Sequence, residues 1–231
     1  MGMRPHSTRA AIVTMVLLTS AHALGHAQSV RAGRTGSLNA TRVDQSVRVD
    51  GKLDEPFWRL VRPVGRFTQA EPVEGNAPTK PTDVRLAFTD DAVVIGARLE
   101  DDAHVLKDAT ASTDSDGRLP DYFEVQIDPH PDHRTVFDFV VTVRGETRAT
   151  LVTAQGATID SWAITWETAT SVDADGWTIE MRIPLSEMHV EKGNESWGLG
   201  LKRFSWKRME TDVLDGRKPR RVALSRSDSN P

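Results

Sequence analysis

The chain has 231 residues, no cysteine and a formal net charge of −4 at pH 7. The length suits one domain with appendages, and the lack of cysteine excludes disulfides, thiolate metal sites and cysteine nucleophiles. The acidic balance argues against nucleic acid as a partner, because binding to nucleic acid usually requires a concentrated basic face.

Residues 1–27 predict a secretory signal peptide. Arg4 and Arg9 give a basic start, residues 10–18 a short apolar core, and Gly25-His26-Ala27 a small-residue cleavage site. The apolar run is too short to cross a bilayer as a helix. Cleavage would leave 27 of the 29 basic side chains against 33 acidic ones, a net charge of −6. We expect an exported protein that is periplasmic, outer-membrane-associated or secreted in a Gram-negative bacterium.

The mature chain begins with a stretch that lacks apolar periodicity. Residues 28–41 are rich in Gly, Ser, Arg and Ala, which predicts a flexible lead-in. Beyond it, apolar residues recur at every second position, as in Val84, Leu86 and Phe88. The turn at Asp90-Asp91 and a second alternating run from Val93 then predict a β-hairpin.

The same alternation continues to about residue 207. It predicts roughly eight to ten strands spaced at about ten residues, the later ones near residues 122–128, 134–144, 148–153, 162–171, 177–183 and 197–206. Helical periodicity is confined to Asp54–Val61 and Leu185–Met188. This pattern predicts an all-β fold: an antiparallel β-sandwich of two packed sheets, jelly-roll-like, with one or two short helices. We place this domain at residues 42–208 and expect 209–231 to be a disordered or truncated tail.

Several segments together resemble one known family. They are DGKLDEPFW at residues 50–58, the hairpin at 82–102, DYFEVQID at 121–128, GWTIEMRIP at 176–184 and WGLGL at 197–201. Their order and spacing, covering nearly all of residues 43–207, resemble carbohydrate-binding module family 9, a DOMON-like sandwich. Asp160-Ser-Trp162 and Trp166-Glu167 are similar to bacterial exported proteins in which this module precedes a predicted outer-membrane β-barrel.

The resemblance implies sugar binding through aromatic rings and polar side chains at one edge of the sandwich. Glu124 matches the family's carboxylate that accepts hydrogen bonds from hydroxyl groups, and its position opposite Phe123 and Val125 predicts that it is exposed. Sugar-binding members carry a tryptophan three residues before Asp121, where this chain has Arg118.

Another loop would therefore have to supply the missing ring. The candidate ligand-binding residues are Glu124, Arg118, Trp162, Trp166 and Trp206. The other three tryptophans occupy strand or helix positions that favour burial, namely Trp58, Trp177 and Trp197.

A loop rich in aspartate is a candidate metal site. Asp114, Asp116 and Asp121 offer closely spaced oxygen ligands, which suit calcium, although the full twelve-residue calcium-loop pattern is lacking. We expect no other cofactor.

No catalytic motif is recognisable in the chain. It has no G-x-S-x-G elbow, Walker loop or H-E-x-x-H sequence. We therefore expect non-catalytic carbohydrate binding, accessory to polysaccharide breakdown or glycan capture. One alternative, favoured by Arg118, is a periplasmic or outer-membrane protein-interaction domain that has lost the sugar site. Another is a haem-binding DOMON-like domain, with Met181, Met188 and His189 as candidate axial ligands.

Overall fold

A computed structural model describes residues 38–111, 120–130, 134–153, 155–159, 164–190, 196–214 and 220–223. The predicted signal peptide, residues 1–27, lies outside the described residues, and so does the lead-in as far as residue 37. No helix within the described ranges is both long enough and apolar enough to cross a membrane.

The described part of the chain contains fourteen strands. In chain order they are β1 (Leu38–Asn39), β2 (Thr41–Arg42), β3 (Phe67–Glu71), β4 (Thr82–Phe88), β5 (Ala92–Glu100), β6 (Tyr122–Asp128), β7 (Thr135–Thr142), β8 (Thr147–Thr153), β9 (Thr158–Ile159), β10 (Glu167–Val172), β11 (Gly176–Pro184), β12 (Ser196–Ser205), β13 (Glu210–Leu214) and β14 (Arg220–Ala223). They form two sheets, which confirms the predicted antiparallel β-sandwich.

The larger sheet has the strand order β1-β14-β12-β6-β7-β8-β9, with β13 beside β12 and β3 beside β13. The smaller sheet has the order β10-β11-β5-β4-β2. Neighbouring strands are antiparallel, except that the short strands β1 and β2 run parallel to β14 and β4. Strands β6 and β12, which lie side by side near the centre of the larger sheet, position the candidate site.

Alternating apolar side chains from both sheets form the core of the sandwich. Phe123 and Val125 of β6 are fully buried, as are Ile179 and Met181 of β11. Each such side chain contributes about 1.5–3 kcal/mol when it is removed from water. The three tryptophans expected in the interior are 1–4% exposed, which confirms that prediction: Trp58, Trp177 and Trp197.

A second apolar cluster covers the outer face of the smaller sheet. Phe57 and Trp58, on the 3₁₀ helix Pro56–Arg59, pack with Ala87 and Val94, which point outward from β4 and β5. The segment that carries the DGKLDEPFW sequence is therefore a structural cover for this sheet.

The structure contains two 3₁₀ helices and one α-helix among its described residues. Pro56–Arg59 and Leu185–Met188 coincide with the two predicted short helices. The α-helix α1, Ala103–Ala111, was not predicted. Its buried apolar residues are the adjacent pair Val105 and Leu106, so its sequence does not show the spacing of three or four residues that indicates a helix.

Two boundary predictions are wrong. The expected tail from residue 209 includes strands β13 and β14. The apolar alternation fades there because two of the buried positions of β13 hold acids, Glu210 and Asp212, although burial still alternates with a period of two. The expected lead-in likewise contains β1 and part of β2, whose two-residue lengths are too short to show a period.

Candidate functional site

Polar side chains are concentrated on the outer face of the larger sheet. On β6, Tyr122, Glu124 and Gln126 alternate with the buried core residues and point away from the core. The strand register sets Lys202 of β12 beside Glu124, Asp138 of β7 beside Gln126, and Thr150 of β8 beside Asp138. We call this set, together with Arg148 of β8, the polar face: Tyr122, Glu124, Gln126, Asp138, Arg148, Thr150 and Lys202.

Glu124 lies on the predicted face but is only 6% exposed. Its carboxylate forms an ion pair with the Lys202 ammonium, and the Gln126 side-chain amide donates a hydrogen bond to its Oε1 at 2.9 Å. The expectation that Glu124 is exposed is therefore wrong, because cross-strand and same-strand neighbours enclose both oxygens. Burial lowers the pKa of Lys202, but the hydrogen bond and charge of Glu124 outweigh it and leave that pKa raised.

Asp138 is the second acid of the polar face, and it is 7% exposed. Burial and repulsion by Glu124 raise its pKa to about 6, against the opposing influence of Arg148, Lys202 and Gln126. A guanidinium nitrogen of Arg148 lies 3.9 Å from its Oδ2. Within the described ranges, the buried Oδ1 atom of Asp138 has no hydrogen-bond partner. The polar face thus contains an acceptor that the described residues leave unfilled.

Tyr122 of the polar face begins a row of three aromatic side chains at the border of that face. The rings of Tyr122 and Phe204 stack with centroids 5.2 Å apart, and Trp206 meets Phe204 edge-on at 6.5 Å. We call these three residues the aromatic row. The Lys202 ammonium lies 5.6 Å from the Tyr122 ring centroid, which is within the range of a cation–π interaction. The aromatic row therefore adjoins the Glu124–Lys202 pair, and its outermost member, Trp206, is half-buried.

A family model provides the decisive comparison. The model described as carbohydrate family 9 binding domain-like matches residues 49–213. The chain belongs to this family. A search among curated proteins gave no significant match.

Solved structures share the fold of this family 9 domain. One is a family 9 carbohydrate-binding module from Caldicellulosiruptor kristjanssonii in complex with glucose, which is 14% identical with a TM-score of 0.59 over 85% of this chain and 99% of that one. A complex of such a module from the same organism with cellotriose is 16% identical, with a TM-score of 0.57 over 85% and 98% of the two chains. A proposed carbohydrate-binding protein from Bacteroides uniformis is 12% identical, with a TM-score of 0.57 over 82% and 99%. At these identities the similarity shows the fold alone.

The candidate residues of the family 9 domain do not all meet at one place. Trp206 adjoins the polar face, whereas Trp166 packs edge-on against Phe139, with ring centroids 5.2 Å apart. Phe139 belongs to the core, so Trp166 lies on the opposite side of the sheet from Glu124. Arg118 and Trp162 lie outside the described residues.

The calcium prediction is only partly within the described chain. Asp114 and Asp116 lie outside it. Asp121 is 2% exposed, its Oδ1 accepts a hydrogen bond from the Trp206 backbone N–H at 2.8 Å, and burial raises its pKa. Among the described residues, no group of three or more histidine and acidic side chains is arranged to hold a metal ion. Calcium binding remains a prediction.

The haem-ligand candidates are separated by their burial. Met181 and Met188 are fully buried in the core, while His189 is exposed. The burial of these three residues gives no support to a surface site at which two of them would together bind a haem iron.

A second charged network lies between the sheets. Arg203 is 3% exposed and donates hydrogen bonds to Asp101 Oδ2 at 2.9 Å and to the Glu100 carbonyl at 2.7 Å. Arg208 donates to the other oxygen of Asp101 at 2.6 Å. This network joins β12 and the β12–β13 turn to the end of β5. Because both oxygens of Asp101 already accept hydrogen bonds, we do not count it among the candidate ligand-binding groups.

Sequence reasoning missed Asp138, Lys202, Tyr122 and Phe204 as members or neighbours of the site. Each of them alternates with core residues along its strand, but which strands adjoin is set by pairings between segments that are far apart in the chain. Lys202 and Glu124, for example, are brought together only by the β6–β12 register.

Proposed function

We propose that this protein binds an oligosaccharide on the polar face without catalysing a reaction. Membership of the carbohydrate family 9 binding domain-like family supports this, as do the structural relatives determined with glucose and cellotriose. The observation that carries the proposal is the position of Glu124, which matches the family's sugar-binding carboxylate and lies beside both Lys202 and the aromatic row.

The chemistry of the polar face suits a sugar ring. A pyranose has hydroxyl groups that both donate and accept hydrogen bonds, and apolar faces that stack on aromatic rings. Lys202 and Gln126 supply donors, Glu124 and Asp138 supply acceptors, and Trp206 supplies a half-buried indole at the border. Charges of both signs at fixed positions favour recognition of hydroxyl patterns over simple attraction of an ion.

We also propose an exported, accessory role. The predicted signal peptide would take the domain across the inner membrane of a Gram-negative bacterium. There it would hold an associated hydrolytic enzyme, or an outer-membrane partner, on a glycan. The absence of a recognisable catalytic motif in the sequence is consistent with a binding role.

Isothermal titration calorimetry at pH 7.5 tests the proposal with glucose, cellotriose, xylotriose, mannotriose and chitotriose. We expect at least one trisaccharide to bind with a millimolar or tighter Kd. The variant E124Q should weaken that binding at least about tenfold, because hydrogen bonds to charged groups contribute about 1.5–3 kcal/mol.

The matched control is E167Q, which changes an exposed glutamate on the edge strand β10 of the other sheet. It should leave the Kd unchanged. Absence of heat with all five sugars at millimolar concentration would contradict the proposal. A stable protein partner, captured equally with and without sugar, would then select the protein-interaction alternative.

A further inference from the structure

We propose that Asp138 contacts the ligand directly, accepting a hydrogen bond from a sugar hydroxyl on Oδ1, and that affinity for the sugar therefore falls on acidification. This inference rests on the proposed function and adds a specific contact and a pH dependence to it. The supporting observations are the geometry of the carboxylate, the charges around it and the chemistry of the missing donor.

The geometry leaves one acceptor of the polar face incomplete. Asp138 is 7% exposed, and its Oδ1 is buried without a hydrogen-bond partner in the described part of the chain. Buried polar atoms in native proteins are nearly always paired, and an unpaired one calls for an explanation such as strain, a catalytic role or a bound water or ion. Oδ2, by contrast, is approached by Arg148 at 3.9 Å.

The neighbouring groups do not supply the missing donor. On β6, Gln126 donates to Glu124 and also lowers the pKa of Asp138 through a side-chain hydrogen bond, but Oδ1 has no partner among the described residues, and Glu124 itself brings a negative charge. On β12, Lys202 is engaged with Glu124. On β8, Thr150 lies directly across from Asp138, but its hydroxyl forms no hydrogen bond to Oδ1.

Arg148 is the one charged residue of the polar face that is mostly exposed, with 66% of its side chain accessible. It can therefore move aside for a ligand at little cost, since an exposed pair of this kind is weak.

The charges of the polar face favour a neutral donor over a cationic one. Two acids, Glu124 and Asp138, are balanced there by two bases, Lys202 and Arg148. The described groups thus leave no net negative charge to attract an ammonium group. A hydroxyl of a neutral sugar satisfies Oδ1 without disturbing this balance.

Protonation of Asp138 links affinity to pH. A hydroxyl that donates to a carboxylate binds the ionised form better, so the complex holds fewer protons than the free protein. The pKa of Asp138 in the free protein is raised to about 6. Strict preference for the ionised form then makes binding about tenfold weaker at pH 5.0 than at pH 7.5, because about nine-tenths of Asp138 is protonated at pH 5.0.

Calorimetry of the wild type and D138N, using whichever of the five sugars binds most tightly, tests this inference at pH 5.0 and 7.5. We expect the wild-type Kd to rise about tenfold at pH 5.0, whereas the Kd of D138N stays within twofold. D212N is the matched control, since Asp212 is also a buried acid with a raised pKa but lies outside the polar face. It should keep the wild-type pH dependence.

The outcomes separate the two proposals. If no sugar binds at pH 7.5, the proposed function fails and this inference fails with it. If a sugar binds equally well at both pH values, or if D138N keeps the pH dependence, only the inference is overturned. Should D138N not fold by circular dichroism, carboxyl-carbon NMR of the wild type decides. Saturation with the sugar should lower the titration midpoint of Asp138 by about one pH unit or more, and an unchanged midpoint would refute the contact.

Discussion

Glu180 and Asp138 are buried acids on the outer faces of the smaller and the larger sheet, and of these two only Glu180 has a described donor for each carboxylate oxygen. On the smaller sheet, Glu180 is fully buried, and its Oε2 accepts hydrogen bonds from the backbone N–H groups of Asp50 and Gly51, both at 2.9 Å. Its Oε1 accepts a third from the Trp58 indole at 3.0 Å. On the larger sheet, Asp138 is similarly buried, yet Oδ1 has no described donor.

The difference follows from what covers each face. Trp58 lies over Gly96 of β5, where a Cβ atom would come within 2.9 Å of the indole ring and 2.6 Å of Leu53 Cδ2. The segment that contains Trp58 thus covers the outer face of the smaller sheet, and the hydrogen bonds to Glu180 hold that segment in place. Glu180, with donors on both oxygens, holds the fold together, whereas Asp138, with an unfilled oxygen on the polar face, is a candidate for contact with a ligand.

The largest expected effect is the difference in the free energy of unfolding between the variants E180Q and D138N. The Glu180→Gln change puts an amide nitrogen where two backbone N–H groups or an indole N–H must be accepted. We therefore expect it to lower the free energy of unfolding by about 3 kcal/mol. D138N removes a charge that burial disfavours and breaks no described bond to Oδ1, so we expect it to be neutral or stabilising at pH 7.5. Chemical denaturation followed by tryptophan fluorescence measures both changes.

Equal destabilisation by the two variants would break the comparison, because Asp138 would then be as structural as Glu180. W58F serves as the control for the smaller sheet. It keeps an aromatic ring but removes one donor to Glu180, so its loss of stability should be smaller than that of E180Q.

Much of this fold could be predicted from alternation alone, while the boundaries could not. The period of two predicted both sheets because their buried positions are apolar, as in Phe123 and Ile179. It failed at β13, where Glu210 and Asp212 occupy buried positions, since burial of acids depends on partners from other strands. One such partner, Gln69 of β3, donates to Glu210 at 2.9 Å across a separation of 141 residues.

The candidate site was only half predictable for the same reason. Glu124 and Trp206 were identified from the family pattern and from residue type. Asp138 and Lys202 were not, because only the pairing of β6 with β7 and β12 brings them to Glu124. Sequence also could not distinguish Glu124 from Glu180, since both alternate with core residues on their strands. Their roles differ because their hydrogen-bond partners differ, and those partners come from other strands and loops.

A smaller effect is expected from Asp212, which tests whether a raised pKa by itself indicates a ligand site. Burial and the neighbouring Glu210 raise the pKa of Asp212 to about 7 from an ordinary value of 3.8. An acid with a raised pKa stabilises the fold at low pH, and this contribution is lost as the pH rises from about 4 through about 7. We expect D212N to reduce the downward slope of unfolding free energy by up to about 1.4 kcal/mol per pH unit, the limit for one proton.

The measurement is thermal or urea unfolding at pH intervals between 5 and 8, in wild type and D212N. Because the pKa of Asp138 is raised only to about 6, the slope between pH 6.5 and 7.5 belongs mainly to Asp212. Identical slopes in the two proteins would show that Asp212 does not titrate in this window. Unchanged sugar binding by D212N would show that a raised pKa alone does not mark the ligand face.

The smallest expected effect concerns the aromatic row. W206A should weaken sugar binding by about two- to twelvefold, equivalent to about 0.5–1.5 kcal/mol for an aromatic stacking contact. W166A is the matched comparison, because its indole packs against Phe139 on the core side of the same sheet. It should lower the free energy of unfolding by about 2 kcal/mol, which is less than the loss expected when a fully buried tryptophan is replaced by alanine. It should leave the Kd for the sugar unchanged. If W166A weakens binding while W206A does not, the sugar binds near Trp166, and the polar face is not the ligand site.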